Sequence, residues 1–210
     1  MSTTTTPVAR PRKSLAKPIL WAALGLGMIS VLIYTDLPLL HGPSEYRSEL
    51  IRKFAILLPH VITGAIAIAL GPLLFSTRFR TRHLKRHRIL GRVYVISIAI
   101  TAPLAAILQL RQPGGIIAFG NIVMSILWFG CTLAAYITAR NRQLVAHRQW
   151  MVRSYMFTLN FIFTRVLNPI PAYAKMSEDH FGLMLLALSA AYLFLPDLYF
   201  NWRELTTSRS

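Results

Sequence analysis

The chain is poor in cysteine and in acid. Its one cysteine, Cys131, excludes an intrachain disulfide, and its place in the middle of an apolar run gives it a small packing role. Seven Asp and Glu stand against 23 Lys and Arg. The acids are Asp36, Glu45, Glu49, Glu178, Asp179, Asp197 and Glu204, and none is central in a long apolar run, which argues against a carboxylate proton relay or a paired-carboxylate site. G-x-S-x-G, a phosphate-binding loop and H-E-x-x-H are all absent. Hydrolytic and phosphoryl-transfer chemistry therefore has little to work with, and a redox function would have to borrow its chemistry from a cofactor. Only 14% of the residues are charged and 54% are hydrophobic, too little polar surface for a water-soluble globule.

What the chain has instead is long apolar runs. Ile19 to Thr35, Phe54 to Thr77, Val93 to Leu110 and Gln112 to Ala139 contain no charge, and each is long enough to cross about 30 Å of hydrocarbon at about 1.5 Å per residue. Gln149 to Ala174 and Phe181 to Trp202, with Arg165 and Asp197 inside them, complete a set of six. The runs are twice the length of barrel strands and lack polar alternation, so the expected fold is all-α: a polytopic membrane helical bundle of about six transmembrane helices. Helix one is expected over Pro18–Leu40, helix two over Phe54–Ser76, helix three over Ile89–Leu110, helix four over Gly115–Ala139, helix five over Gln149–Ile170 and helix six over His180–Trp202.

The positive charge is distributed in a way that orients the bundle. With the N-terminus in the cytoplasm, 17 of the 23 Lys and Arg fall on the cytoplasmic side, five on the outer side, and Arg165 within a span. The positive-inside rule then gives an N-in, C-in arrangement with an even number of crossings. The net charge of +16 is topological rather than a nucleic-acid signal, because its densest run, Arg78 to Arg88, is a short connector with no aromatic platform beyond Phe79. Residues 1–17 read as a polar, disordered basic tail, 18–202 as the transmembrane domain and 203–210 as a cytoplasmic tail.

Three groups of residues are candidates for a site. In helix two, His60, Gly64, Ala67 and Gly71 share one face, an imidazole above a small-residue groove. The groove admits another helix or, alternatively, a flat cofactor such as haem with His60 as axial ligand. At the outer level, Arg165, Asp36, His60, Asn168 and His180 form a possible cluster, with an Asp36–Arg165 ion pair the simplest content. At the cytoplasmic face, His87 and His147 head two helices beside Arg88, Arg92, Arg148 and Arg153, which suit anionic lipid headgroups, a quinone headgroup or haem propionates. His83 and His87 are four residues apart, but the surrounding Arg and Lys would repel a dication, so no metal site is expected there. The segments His87-Arg88-x3-Arg92-x-Tyr94 and His147-Arg148-x4-Arg153-x-Tyr155 also echo each other, a weak sign of internal duplication.

These strings, His60-x3-Gly64, Ala69-Leu70-Gly71-Pro72, His87-Arg88-x2-Gly91-Arg92-x-Tyr94 and His147-Arg148-x-Trp150-Met151-x-Arg153-Ser154-Tyr155 with Arg165, resemble a family of predicted bacterial membrane proteins, domain of unknown function 2306. The resemblance spans roughly Lys53 to Pro171 and implies a helical bundle in the inner membrane. It marks His60, His87, His147, Arg92, Arg153 and Arg165 as positions to test and carries no activity with it. Two readings follow. One is a non-enzymatic membrane component, an assembly or lipid-interacting scaffold, and the other is a haem-binding or quinone-linked redox membrane protein. A transporter ranks third, because the spans offer only isolated polar residues such as Ser97, Thr101, Asn121, Ser125 and Asn160.

Overall fold

The computed structural model describes residues 19, 22–23, 25–27, 44–111 and 114–206, the side chains of 44–53 and 203–206 excepted. Among them there is no strand. The helices are α1 (Ser44–Leu74), α2 (Thr77–Arg82), α3 (Leu84–Leu110), α4 (Ile116–Arg140), α5 (Leu144–Leu167), α6 (Pro171–Ala174) and α7 (Glu178–Thr206). Most of the expected helix one, including Asp36, lies outside the described residues, as does the 1–17 tail. Ile19, Ala22, Ala23 and Gly25 to Gly27 are helical, and Gly27 is buried against Ile162 of α5.

Four helices are long and apolar enough to cross a membrane: Phe54–Leu74, Leu84–Leu110, Ile116–Arg140 and Glu178–Trp202. The fifth expected span is not among them. Helix α5 has 24 residues, about 36 Å, so length is not the obstacle. It carries His147, Arg148, Arg153 and Arg165 along with Ser154, Thr158, Asn160 and Thr164, and this polarity sets it apart from the four.

The helix ends also differ from the sequence reading. Helix α1 starts ten residues before Phe54, and the basic connector after it contains its own short helix, α2, capped by the Ser76 hydroxyl accepting from the Phe79 amide at 3.3 Å. Helices α3 and α5 each begin five residues early, and α7 runs on to Thr206, into what the sequence suggests is a tail. Polar and charged turns at their ends prolong the helices beyond their apolar runs, because hydropathy marks only the part suited to hydrocarbon.

Helices α1 and α3, α3 and α4, and α4 and α5 pack as neighbours, α7 lies across α4 and α5, and α1 also touches α5. One end of this bundle, where α2, the start of α3, the end of α4 and the start of α5 meet, carries the dense Lys and Arg; it is the basic end, and the opposite one the far end. Helix α5 is the interior pillar: Arg153, Ser154, Tyr155, Phe157, Thr158, Asn160, Ile162 and Thr164 are all buried. The apolar core around it falls into clusters centred on Tyr94, Ile98 and Tyr155, and on Met124, Cys131, Phe157 and Leu185.

Large apolar side chains such as Ile96, Ile126, Leu183 and Phe194 point outward instead, as lipid-facing positions do. At the far end, α4 and α7 approach until a Cβ on Gly182 would lie 2.7 Å from the Ile116 carbonyl carbon, so only glycine fits that crossing.

Candidate functional site

The polar interior is built on α5 and pairs mostly with itself. Tyr94 of α3 places its hydroxyl 2.9 Å from both Ser154 Oγ and Thr158 Oγ1. Thr158 Oγ1 donates to the Ser154 carbonyl, so it accepts from Tyr94 and from Trp128 Nε1, the latter at 3.1 Å. Thr132 Oγ1 sits 2.8 Å from the Trp128 carbonyl and 2.7 Å from Ser154 Oγ, close enough to bond either. Every hydroxyl in this network has a partner, and it ties α3, α4 and α5 together. A second link joins Asn160 to Met124 Sδ of α4 and to the Tyr192 hydroxyl of α7.

Proline creates a further need. Pro72 cannot donate to the carbonyl four residues back, Ile68, and the Tyr155 hydroxyl donates to that oxygen at 3.1 Å. Gly71 makes this reach possible, since a Cβ there would overlap the Tyr155 ring. Thr101 Oγ1 is the nearest group to a Cβ built on Gly64, and Ala67 is wholly buried. The His60–Gly71 stripe is thus filled by side chains of α3 and α5, and the room for a flat ring beside His60 that the sequence suggested is taken by Thr101 and Tyr155.

His60 itself is clamped. Its Nδ1 lies 3.0 Å from the Thr101 carbonyl and 2.9 Å from Thr101 Oγ1, while Thr101 Oγ1 donates to the His60 carbonyl at 3.0 Å. Among the described residues no hydrogen bond or ion pair joins His60, Arg165, Asn168 and His180. Arg165 lies over the Phe161 ring at 5.3 Å with its Nε buried and unpartnered among the described residues. His180 is exposed and bonded to Ser177. Asp36, the expected partner of Arg165, lies outside the described residues.

Arg153 differs most from its expected role. It is buried on α5, pairs with Asp197 of α7, donates Nε to the Leu193 carbonyl at 3.1 Å and stacks over Trp150 at 4.9 Å. Leu193 lies in the turn before Pro196, which lacks the amide that would bond the Tyr192 carbonyl. With Nε and Nη2 engaged inside the protein and the side chain buried, it is not displayed to a headgroup or a propionate as the surface arginines are. Sequence reading placed Arg153 with the surface arginines because it follows a basic helix start. The signal for the pair was Asp197, the one acid inside the last apolar run.

At the basic end, His87 and His147 occupy the first turns of α3 and α5. His147 Nδ1 is 2.8 Å from the Ala135 carbonyl, so it is the protonated nitrogen. His87 Nδ1 is buried with no hydrogen-bond partner among the described residues, and the charges of Arg80 and Arg88 reach it. Arg88 and Arg92, one turn apart on α3, are exposed. His83 lies between α2 and α3 against the Phe79 ring, off the helix that carries His87. Among the described residues no group of three or more His, Cys, Asp or Glu is placed to hold a metal ion.

A family model described as Predicted membrane protein (DUF2306) matches residues 57–202, which takes in every helix from α2 to α6 and most of α1 and α7. No curated protein and no solved structure matches the chain.

Proposed function

The chain belongs to this family of predicted membrane proteins, and from that premise we propose that it is a non-enzymatic component of a bacterial cytoplasmic membrane. In this reading it is a six-span scaffold, N-in and C-in, with α5 as an enclosed fifth span, and its basic end faces the cytoplasm and engages anionic lipid headgroups. The carrying observation is an imbalance. Ten Lys and Arg, namely Arg78, Arg80, Arg82, Lys85, Arg86, Arg88, Arg92, Arg140, Arg142 and Arg148, gather at the basic end, and the sequence has no acid between Glu49 and Glu178. None of the ten is in an ion pair among the described residues, and all but Arg80 are well exposed. Basic residues at an anionic surface each contribute about 1 kcal/mol of attraction. The buried polar groups, by contrast, mostly bond to each other, which suits a structural role.

Phosphatidylglycerol added to detergent-purified protein should raise its melting temperature, and phosphatidylcholine should not. Replacing Arg78, Arg80, Arg82 and Arg86 together with Gln should remove at least half of that rise. Equal stabilisation by the two lipids would overturn the lipid-binding reading. A haem-binding or quinone-linked redox protein is the second reading, favoured by the unpartnered ring nitrogen of His87.

A further inference from the structure

We propose that His87 and His147 are the two axial ligands of one haem, held in the gap between α3 and α5 at the basic end; the inference rests on the redox reading just given and is independent of lipid binding. The register is the first argument. His87 lies seven residues before Tyr94 and His147 seven residues before Ser154, and Tyr94 and Ser154 are hydrogen-bonded across the bundle at 2.9 Å. Seven residues is close to two helical turns, about 10 Å, so both imidazoles stand at one level above that bond and on the same faces as it. Along α3 the residues His87, Gly91, Tyr94, Ile98 and Thr101 form one seam, of which the last three are buried in the bundle.

Space is the second argument. Helices α3 and α5 face each other diagonally, each packed on α4 and on α1, so they meet through side chains rather than backbone. A Cβ on Gly91, one turn below His87 on the same seam, would meet nothing within 4 Å. Below that level the gap is closed by Tyr94, Ser154 and Thr158, which gives the site a floor.

Chemistry is the third. The Nδ1–H of His147 is fixed on the Ala135 carbonyl, which leaves Nε2 with its lone pair outward, the arrangement a ligating imidazole uses. His87 keeps a buried ring nitrogen that no described group of the protein satisfies, and a metal bond or a bound group would complete it. The surrounding charge selects the ligand class. Arg80 and Arg88 bear on His87, so a bare dication is repelled, whereas a haem with two propionates is attracted.

The protein should be purified from cells supplied with 5-aminolevulinate, and its ferric and dithionite-reduced spectra recorded beside a pyridine haemochrome assay. One haem per chain is expected, six-coordinate and low-spin in both states. His87→Ala and His147→Ala should each remove the low-spin spectrum and lower occupancy at least tenfold, while His60→Ala and His83→Ala should leave it unchanged. Gly91→Leu, which fills the gap without touching a ligand, should lower occupancy with the far-ultraviolet helical signal and elution profile retained, and it serves if a histidine variant fails to fold. A low-spin spectrum that survives both histidine substitutions would place haem elsewhere, overturning this site while the redox reading stands. A folded wild-type protein that takes up no haem, in cells or on hemin titration, would overturn both.

Discussion

Helices α3 and α5 run through the same bundle and are nearly the same length, yet they solve opposite problems. Helix α3 is apolar for most of its course and turns Ile96, Ile100 and Ile107 outward, keeping its charges near the basic end. Helix α5 buries an arginine, an asparagine and several hydroxyls, and gives its partners one polar group after another. The difference shows what hydropathy measures in a membrane protein. It reports the surface offered to lipid, and a helix enclosed by other helices can be polar if each polar group finds a partner there.

The sharpest way to break the contrast is at Arg153. Arg153→Leu strands Asp197 and frees the Leu193 carbonyl beside the Pro196 interruption, and should cost about 2–4 kcal/mol, a value held down by the half-exposed Asp197 side chain. Adding Asp197→Leu should restore much of the loss, as read by denaturant unfolding in mixed micelles. Simple additivity of the two changes would show that the pair is not coupled.

Next in size is Gly71→Val, which drives a side chain into the Tyr155 ring and should cost about 1–3 kcal/mol in the same assay. The same substitution at Gly130 of α4, where a Cβ meets nothing within 4 Å, should cost much less. Tyr94→Phe removes the shared hydroxyl between Ser154 and Thr158 and should cost about 1 kcal/mol, since those two can still bond to Thr132 and to the Ser154 carbonyl. Smallest of all, Ile96→Leu on the outward face of α3 should change stability by less than about 0.5 kcal/mol.

The same contrast explains what could be read from the sequence. The uncharged runs of α1, α3 and α4 announce themselves by length, and their helices lie where hydropathy puts them apart from the basic turns at their ends. The packing stripe His60, Gly64, Ala67 and Gly71 was visible as a face, because helical spacing fixes which residues share it. Its occupants were not, because Thr101 and Tyr155 come from helices 30 to 90 residues away and nothing local names them. The register of Tyr94 with Ser154 was half visible in the His-Arg echo. Matching Tyr94 with Tyr155 in that echo hid the hydrogen-bonded pair, since the extra residue in the second copy turns Tyr155 toward α1 and brings Ser154 to α3. Arg153 was misread for a related reason: its neighbours in sequence are surface arginines, and its partner Asp197 is 44 residues on.

Whether α5 crosses the membrane despite its polarity decides the account. Single cysteines at Gln143, just before α5, and at Met176, just after α6, in a Cys131→Ser background, can be probed in sealed cells with a membrane-impermeant thiol reagent. An enclosed fifth span predicts that the Met176→Cys protein is labelled in intact cells and that the Gln143→Cys protein reacts only after lysis. Labelling of both positions, or of neither, from outside would place the two ends of α5 on one side of the membrane and contradict the six-span bundle.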